Sequence, residues 1–197
     1  MSQTRLIAVT PILAAGQFED CAKRLAEIAA QADIATVILR LAPGVPDLAL
    51  SPMTRFAAQK ETALLVAGDS DRAGRAGFDG VHCEGDEAAL KAALKWLKPD
   101  RIVGAGGFLE RDGAMNAGEL GADYVMFGKP GMSAHEARIA AGLVAWWVDV
   151  MEPPCAGYAT TPEALAAHLN AGADFIALDP ALWMSDETFA QALDALK

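Results

Sequence analysis

AGADFIALD, residues 171–179, ends one helical stretch and opens a hydrophobic strand, and the chain holds three more versions of it: QADIATVILR at 31–40, AGFDGVH at 76–82 and LGADYVMFG at 120–128. In each, an acid stands just ahead of the strand: Asp33, Asp79, Asp123 and Asp174. Around these marks, short β-branched runs fall at 5–10, 35–41, 62–67, 79–83, 101–105, 122–128, 154–158 and 174–178, the seventh being the weakest pattern. Ala- and Leu-rich stretches at helical spacing separate them, as where helices cover a parallel sheet. Phe18, Cys21, Leu25 and Ile28 share one helical face, as do Leu90, Leu94 and Leu97. Thr161-Pro162-Glu163 reads as a cap, a first-turn proline and an acid favoured by the helix dipole.

Eight strand–helix units predict an α/β fold, a compact (β/α)₈ TIM barrel. No Ser/Pro-rich linker or charge block divides the chain, so residues 1–197 are expected to form one domain. The repeated acid then marks the N-terminal end of every even-numbered strand. A glycine ending the preceding helix takes the left-handed conformation, and the acid bonds backbone amides of the turn. That end is the stabilising face of such barrels, so function is sought at the other.

The sequence is 53% hydrophobic, enough for a substantial core, with a net charge of −10 and a pI near 4.7. This balance opposes nucleic-acid or anionic-membrane binding through a general basic surface, while leaving room for a local anion pocket. Cys21, Cys83 and Cys155 are odd in number and widely spaced, suggesting neither a disulfide framework nor a thiolate zinc site. With no signal-peptide pattern and no apolar run long enough for a bilayer, a soluble, cytoplasmic protein is expected.

At the C-terminal strand ends, Arg40 and Lys129 are placed to approach a phosphate, and Asp69, Asp71, Asp86 and Glu87 offer oxygens to Mg²⁺. Each has a structural counterpart reading: a strand-end arginine also pairs with an acid, and acids after strands also cap helices. VGAGG at 103–107 brings bare amides near an anion or simply serves a turn. His82 reads as a packed or hydrogen-bonded imidazole, His135 and His168 as surface residues. Trp146, Trp147 and Trp183 read as space-fillers, and the apolar helix surface near Trp146 and Trp147 suits a homodimer.

ETALLVAGDSDRAGRAGFDGVHCEGDE at 61–87, LGADYVMFG, TTPEALAAHLNAGADFIAL at 160–178 and the opening LIAVTP at 6–11 together resemble thiamine phosphate synthase and the TenI-like proteins along nearly the whole chain. The resemblance implies a TIM barrel that joins a pyrimidine pyrophosphate to a thiazole phosphate with Mg²⁺ on the departing pyrophosphate, or, in TenI-like relatives, tautomerises the thiazole. The sequence departs from that pattern at the site. Of the family's Q-x-R-x-K after strand 2, only Arg40 carries over. Its Asn-Asp after strand 3 falls on Ala67-Gly68, leaving Asp69 or Asp71 to substitute. Its second acid after strand 4 matches Glu87, its strand-5 serine falls on Gly106, and Lys129-Pro130-Gly131 looks like the end of a shortened loop. Its Gly-Gly after strand 7 falls on Tyr158-Ala159, and Pro180, without an N–H, stands where a donor is used.

The expected site is therefore Arg40 and Lys129 as catalytic residues, Arg40, Gly106, Gly107, Lys129 and Gly157 around phosphate, and Asp69 with Glu87 on Mg²⁺. The ligand would be a small phosphorylated heterocycle. Two alternatives stay open: a non-catalytic relative that binds such a ligand or a protein partner, and an enzyme forming a Schiff base on Lys129 with a small oxo acid.

Overall fold

The computed structural model describes residues 4–75 and 77–196. Its strands run in sequence order, β1 to β8, every neighbour parallel, and β8 closes on β1. They are β1 (Arg5–Leu13), β2 (Ile34–Leu41), β3 (Ala63–Ala67), β4 (Gly80–Glu84), β5 (Ile102–Phe108), β6 (Tyr124–Phe127), β7 (Cys155–Ala159) and β8 (Phe175–Leu178). The helices are α1 (Phe18–Ala29), α2 (Ser51–Lys60), α3 (Ser70–Arg75), α4 (Glu87–Leu97), α5 (Arg111–Glu119), α6 (Ala134–Val150), α7 (Pro162–Asn170), α8 (Pro180–Trp183) and α9 (Asp186–Ala195). The expected barrel is present, weak seventh strand included.

Strand residues divide by parity. Leu6, Val37, Leu39, Leu64 and Val125 belong to the layer between strands and helices, while Ile7, Val9, Ile38, Leu65 and Met126 fill the barrel interior. Both faces are dry, which is why the strands read as nearly unbroken apolar runs. Trp147 and Trp183 fill space as expected, and their indole N–H groups donate to the carbonyls of Pro153 at 2.7 Å and Val9 at 3.0 Å. Trp146 is only partly buried, with the Arg111 guanidinium 4.6 Å from its ring centroid. The three cysteines are free and buried. Among the described residues no helix is long and apolar enough to cross a membrane.

The recurring acid has a different partner from the one expected. Asp79, Asp123 and Asp174 do not cap their own turns; their carboxylates accept from the amides of Leu64, Val103 and Cys155 at 2.7, 2.7 and 2.9 Å. Those amides lie at the starts of the neighbouring odd strands β3, β5 and β7, so each acid pins an even strand to the odd strand before it. Asp33 instead pairs with the Arg5 guanidinium at 2.7 Å. Gly121 and Gly172, at φ 96° and 85°, supply the left-handed turn that brings the acid round. Asp123 also holds Lys98. Asp123→Ala strands the Val103 amide and is expected to cost about 1–3 kcal/mol in urea unfolding. Asp33→Ala, which loses a surface pair, should cost about 0–1 kcal/mol. Equal costs for the two would refute the pinning role.

Candidate functional site at the C-terminal mouth

β1 and β2 extend past the barrel as a short ribbon. Their register slips between Val9 and Ile12, and the Thr10 hydroxyl fills the gap by accepting the Arg40 amide at 2.9 Å. Arg40 shares the inward parity of Ile38, is partly buried, and has no carboxylate within salt-bridge distance among the described residues. On the opposite stave of the ring, Lys129 follows β6; it is exposed and likewise makes no such pair. The two expected cations thus stand at strand ends on the same rim of the barrel.

On β7, Tyr158 is buried and donates its hydroxyl to Asp179 Oδ2 at 2.7 Å, while Asp179 Oδ1 accepts from the Ala181 amide and so caps α8. Burial raises the Tyr158 pKa and the Asp179 hydrogen bond adds to it, so the phenol stays protonated; nearby Arg40 opposes the shift and Glu84 adds to it. These two charges therefore act on one hydroxyl. One layer lower, His82 on β4 is 1% exposed, stacks on Tyr124 with ring centroids 5.6 Å apart, and meets its hydroxyl through Nδ1 at 2.8 Å. The expected packed imidazole is what the structure holds.

The glycines of VGAGG explain how these rings fit. A Cβ on Gly104 would lie 2.2 Å from Tyr124 Cζ, and one on Gly106 would lie 2.5 Å from His82 Nε2. Both glycines therefore make room on the inner face for aromatic side chains. Gly107, at φ 83°, lies where the register of β5 slips between Ala105 and Phe108, and lines a cleft outside the barrel with Cys83, Glu87, Phe108 and Asn116.

Other expected site residues lie apart from the mouth. Gly157 sits within β7 on its outer face, where a Cβ would come 2.2 Å from the His168 ring, so a helix side chain fills the space proposed for phosphate. His168 is itself 0% exposed, its Nε2 3.1 Å from the Tyr158 carbonyl, and so is not the surface residue expected. Asp69 accepts the Arg72 amide at 2.9 Å, holding the start of α3. Glu87 pairs with Lys91, whose hydrogen bond lowers the Glu87 pKa, and it bonds Asn116 as well. Asp86 caps α4 through the amides of Ala88 and Ala89. Asp69, Asp86 and Glu87 are thus already engaged, and no group of three His, Cys, Asp or Glu among the described residues, Asp71 included, suits a metal ion. As placed, Asp69 and Glu87 do not fit Mg²⁺.

Burial pushes the His82 pKa down to about 4 from its ordinary 6.5. The unfolded chain therefore binds this proton first. The stabilisation is whole above pH 6.5 and is lost as pH falls toward 4, about 3 kcal/mol at its limit. Urea midpoints at pH 7 and 4.5 should fall more steeply for the native protein than for His82→Gln; parallel declines would contradict a neutral buried His82.

A closed barrel of eight parallel strands interleaved with helices defines a (β/α)₈ protein. The thiamine monophosphate synthase family profile matches residues 9–182. A thiamine-phosphate synthase of Rhodospirillum centenum is 33% identical over 93% of this chain and 91% of its own length. One of Hyphomonas neptunium is 33% identical over 98% and 92%. Among solved structures, the thiamine phosphate pyrophosphorylase of Pyrococcus furiosus superposes with a TM-score of 0.77 at 16% identity, covering 99% of this chain and 96% of that one. The 3-hexulose-6-phosphate synthase of Salmonella typhimurium reaches 0.72 at 13% identity, covering 98% and 97%. These structural likenesses speak for the fold. The chain belongs to the thiamine monophosphate synthase family, as its sequence pattern implied.

Sequence reasoning places Glu84 at the C-terminal end of a strand but gives it no role, and it misses the Tyr124–His82 contact. Glu84 was detectable by parity, two residues beyond His82 at the strand end and so on the same face. The Tyr124 contact, between different strands, left no local signal.

Proposed function

We propose that this protein binds a phosphorylated pyrimidine or thiazole precursor of thiamine at the barrel mouth, with Arg40 as principal anion receptor and Lys129 as an exposed second cation on the same rim. The observation that carries the reading is Arg40, whose backbone Thr10 holds at the rim and whose side chain has no carboxylate partner among the described residues. A guanidinium that no acid answers is free to take an anion, and phosphate matches its forked donors. Relatives bearing the name thiamine-phosphate synthase support the choice of ligand. Gly106 does not face this ligand, since the His82 ring fills the space beside it.

If the chain is a synthase, its own residues supply positioning and stabilisation of leaving-group charge. A second reading, a binding protein without synthase activity, is favoured by the engagement of Asp69 and Glu87 in other bonds. The Schiff-base alternative draws no support from exposed Lys129, which lacks the required desolvation. Incubation of excess protein with both substrates and Mg²⁺, followed by fluorimetric detection of thiamine phosphate after oxidation, separates the readings. Product supports the synthase. Calorimetric binding of the thiazole phosphate without product supports the binder, and the absence of both product and binding rejects the proposed ligand class.

A further inference from the structure

Helix α6 covers the barrel with one face, through Ala140, Val144 and Trp147, and turns the other to solvent. Of the two tryptophans read as suiting a homodimer, Trp147 therefore belongs to the core and only Trp146 stands near the surface. Helical spacing sets the outward face. His135, Arg138, Ile139, Gly142, Ala145, Trp146 and Asp149 fall on one stripe, and each is exposed or partly so. The stripe lies outside the strand layer, and no group of the anion site proposed above belongs to it.

Two of its features have no use within one chain. Gly142 sits at mid-helix, where glycine weakens a helix, yet its φ is not left-handed and an added Cβ would meet nothing within 4 Å among the described residues. Nothing inside the molecule asks for a residue without a side chain here. Arg138 and Asp149 carry opposite charges toward the two ends of the stripe, and neither forms an ion pair among the described residues.

A second copy of the same helix answers both. His135 and Asp149 stand seven residues either side of Gly142, Arg138 and Trp146 four, and Ile139 and Ala145 three. A two-fold axis through Gly142 lays two α6 helices antiparallel and sets each member of a pair against the other. Ile139 of one copy then packs on Ala145 of the second, and the Arg138 stem lies along Trp146. Asp149 of the second copy comes level with His135 and about 4.5 Å along the axis from the level of Arg138, within reach of its guanidinium. Glycine at the crossing lets the helix axes close to about 8 Å. Whole-chain charge of −10 repels a second copy in most orientations, whereas this face carries one cation and one anion beside a neutral histidine. We propose that the outer face of α6 is a self-association surface that pairs two copies of this chain antiparallel about Gly142. Two helices of 17 residues meeting in this way bury no more than the small end of specific interfaces, about 1,200 Å², so the dimer is weak, with a Kd of about 10–100 µM.

Sedimentation velocity on the full chain between about 1 and 300 µM tests it, a range spanning the expected Kd. The native protein is expected to pass from monomer to dimer across that range. Gly142→Arg places two guanidinium groups face to face on the axis in a residue that favours helix, so it should stay folded by circular dichroism and monomeric throughout. Arg138→Asp and Asp149→Arg should each weaken the dimer about tenfold or more, and the two together, which exchange the charges, should return it close to the native constant. If Gly142→Arg does not fold, the charge exchange decides alone. A native protein that is monomeric at every concentration overturns the proposal, and so does a dimer that Gly142→Arg leaves intact. Dimers lost in both single charge variants and not restored in the double overturn the antiparallel pairing.

Discussion

Arg40→Ala is expected to weaken calorimetric binding of the thiazole phosphate by about a hundredfold, the upper range for a charge-assisted guanidinium–phosphate contact at roughly 1.5–3 kcal/mol. Thr10 anchors the arginine's backbone, not its head, so the loss should come with little change in stability. Arg40→Lys should recover only part of the affinity, because an ammonium keeps the charge but not the fork. Lys129→Ala removes an exposed cation and should cost only a few-fold, a loss that fades with added salt. Unchanged affinity in Arg40→Ala would remove the mouth as the anion site.

Gly104→Ala is expected to lower the melting temperature by about 10 °C, from roughly 3 kcal/mol of overpacking at about 2–4 °C per kcal/mol for a domain of this size. The new methyl would stand 2.2 to 2.5 Å from three atoms of Tyr124. That ring cannot swing aside: it is 7% exposed, stacked on His82 and hydrogen-bonded to it. Gly142→Ala supplies the contrast. It lies in α6 with nothing within 4 Å of the added atom, so alanine should stabilise by up to about 1 kcal/mol through helix propensity. Thermal unfolding of the two variants separates steric crowding from the general effect of losing a glycine. A native-like melting temperature in Gly104→Ala would show that the inner face is not packed as described.

The sequence alone determined the barrel, because strands buried on both faces must read as apolar runs and helices covering them must show a helical stripe. Both are local patterns, and the order of LIAVTP, GFDGVH, LGADYVMFG and AGADFIAL carried the family with them. The strand-end positions of Arg40 and Lys129 were also legible, since a cation closing an apolar strand is conspicuous by itself. Tertiary structure alone decided who partners whom. The acids before β4, β6 and β8 bond amides of neighbouring strands, Gly157 makes way for His168, and Asp69 and Glu87 are taken up by Arg72 and by Lys91 with Asn116. The contacts that recast the site, Gly106 with His82 and Tyr158 with Asp179, join different strands or lie far apart in the chain. Periodicity reports which face a residue occupies, but the closing of the barrel sets what that face meets.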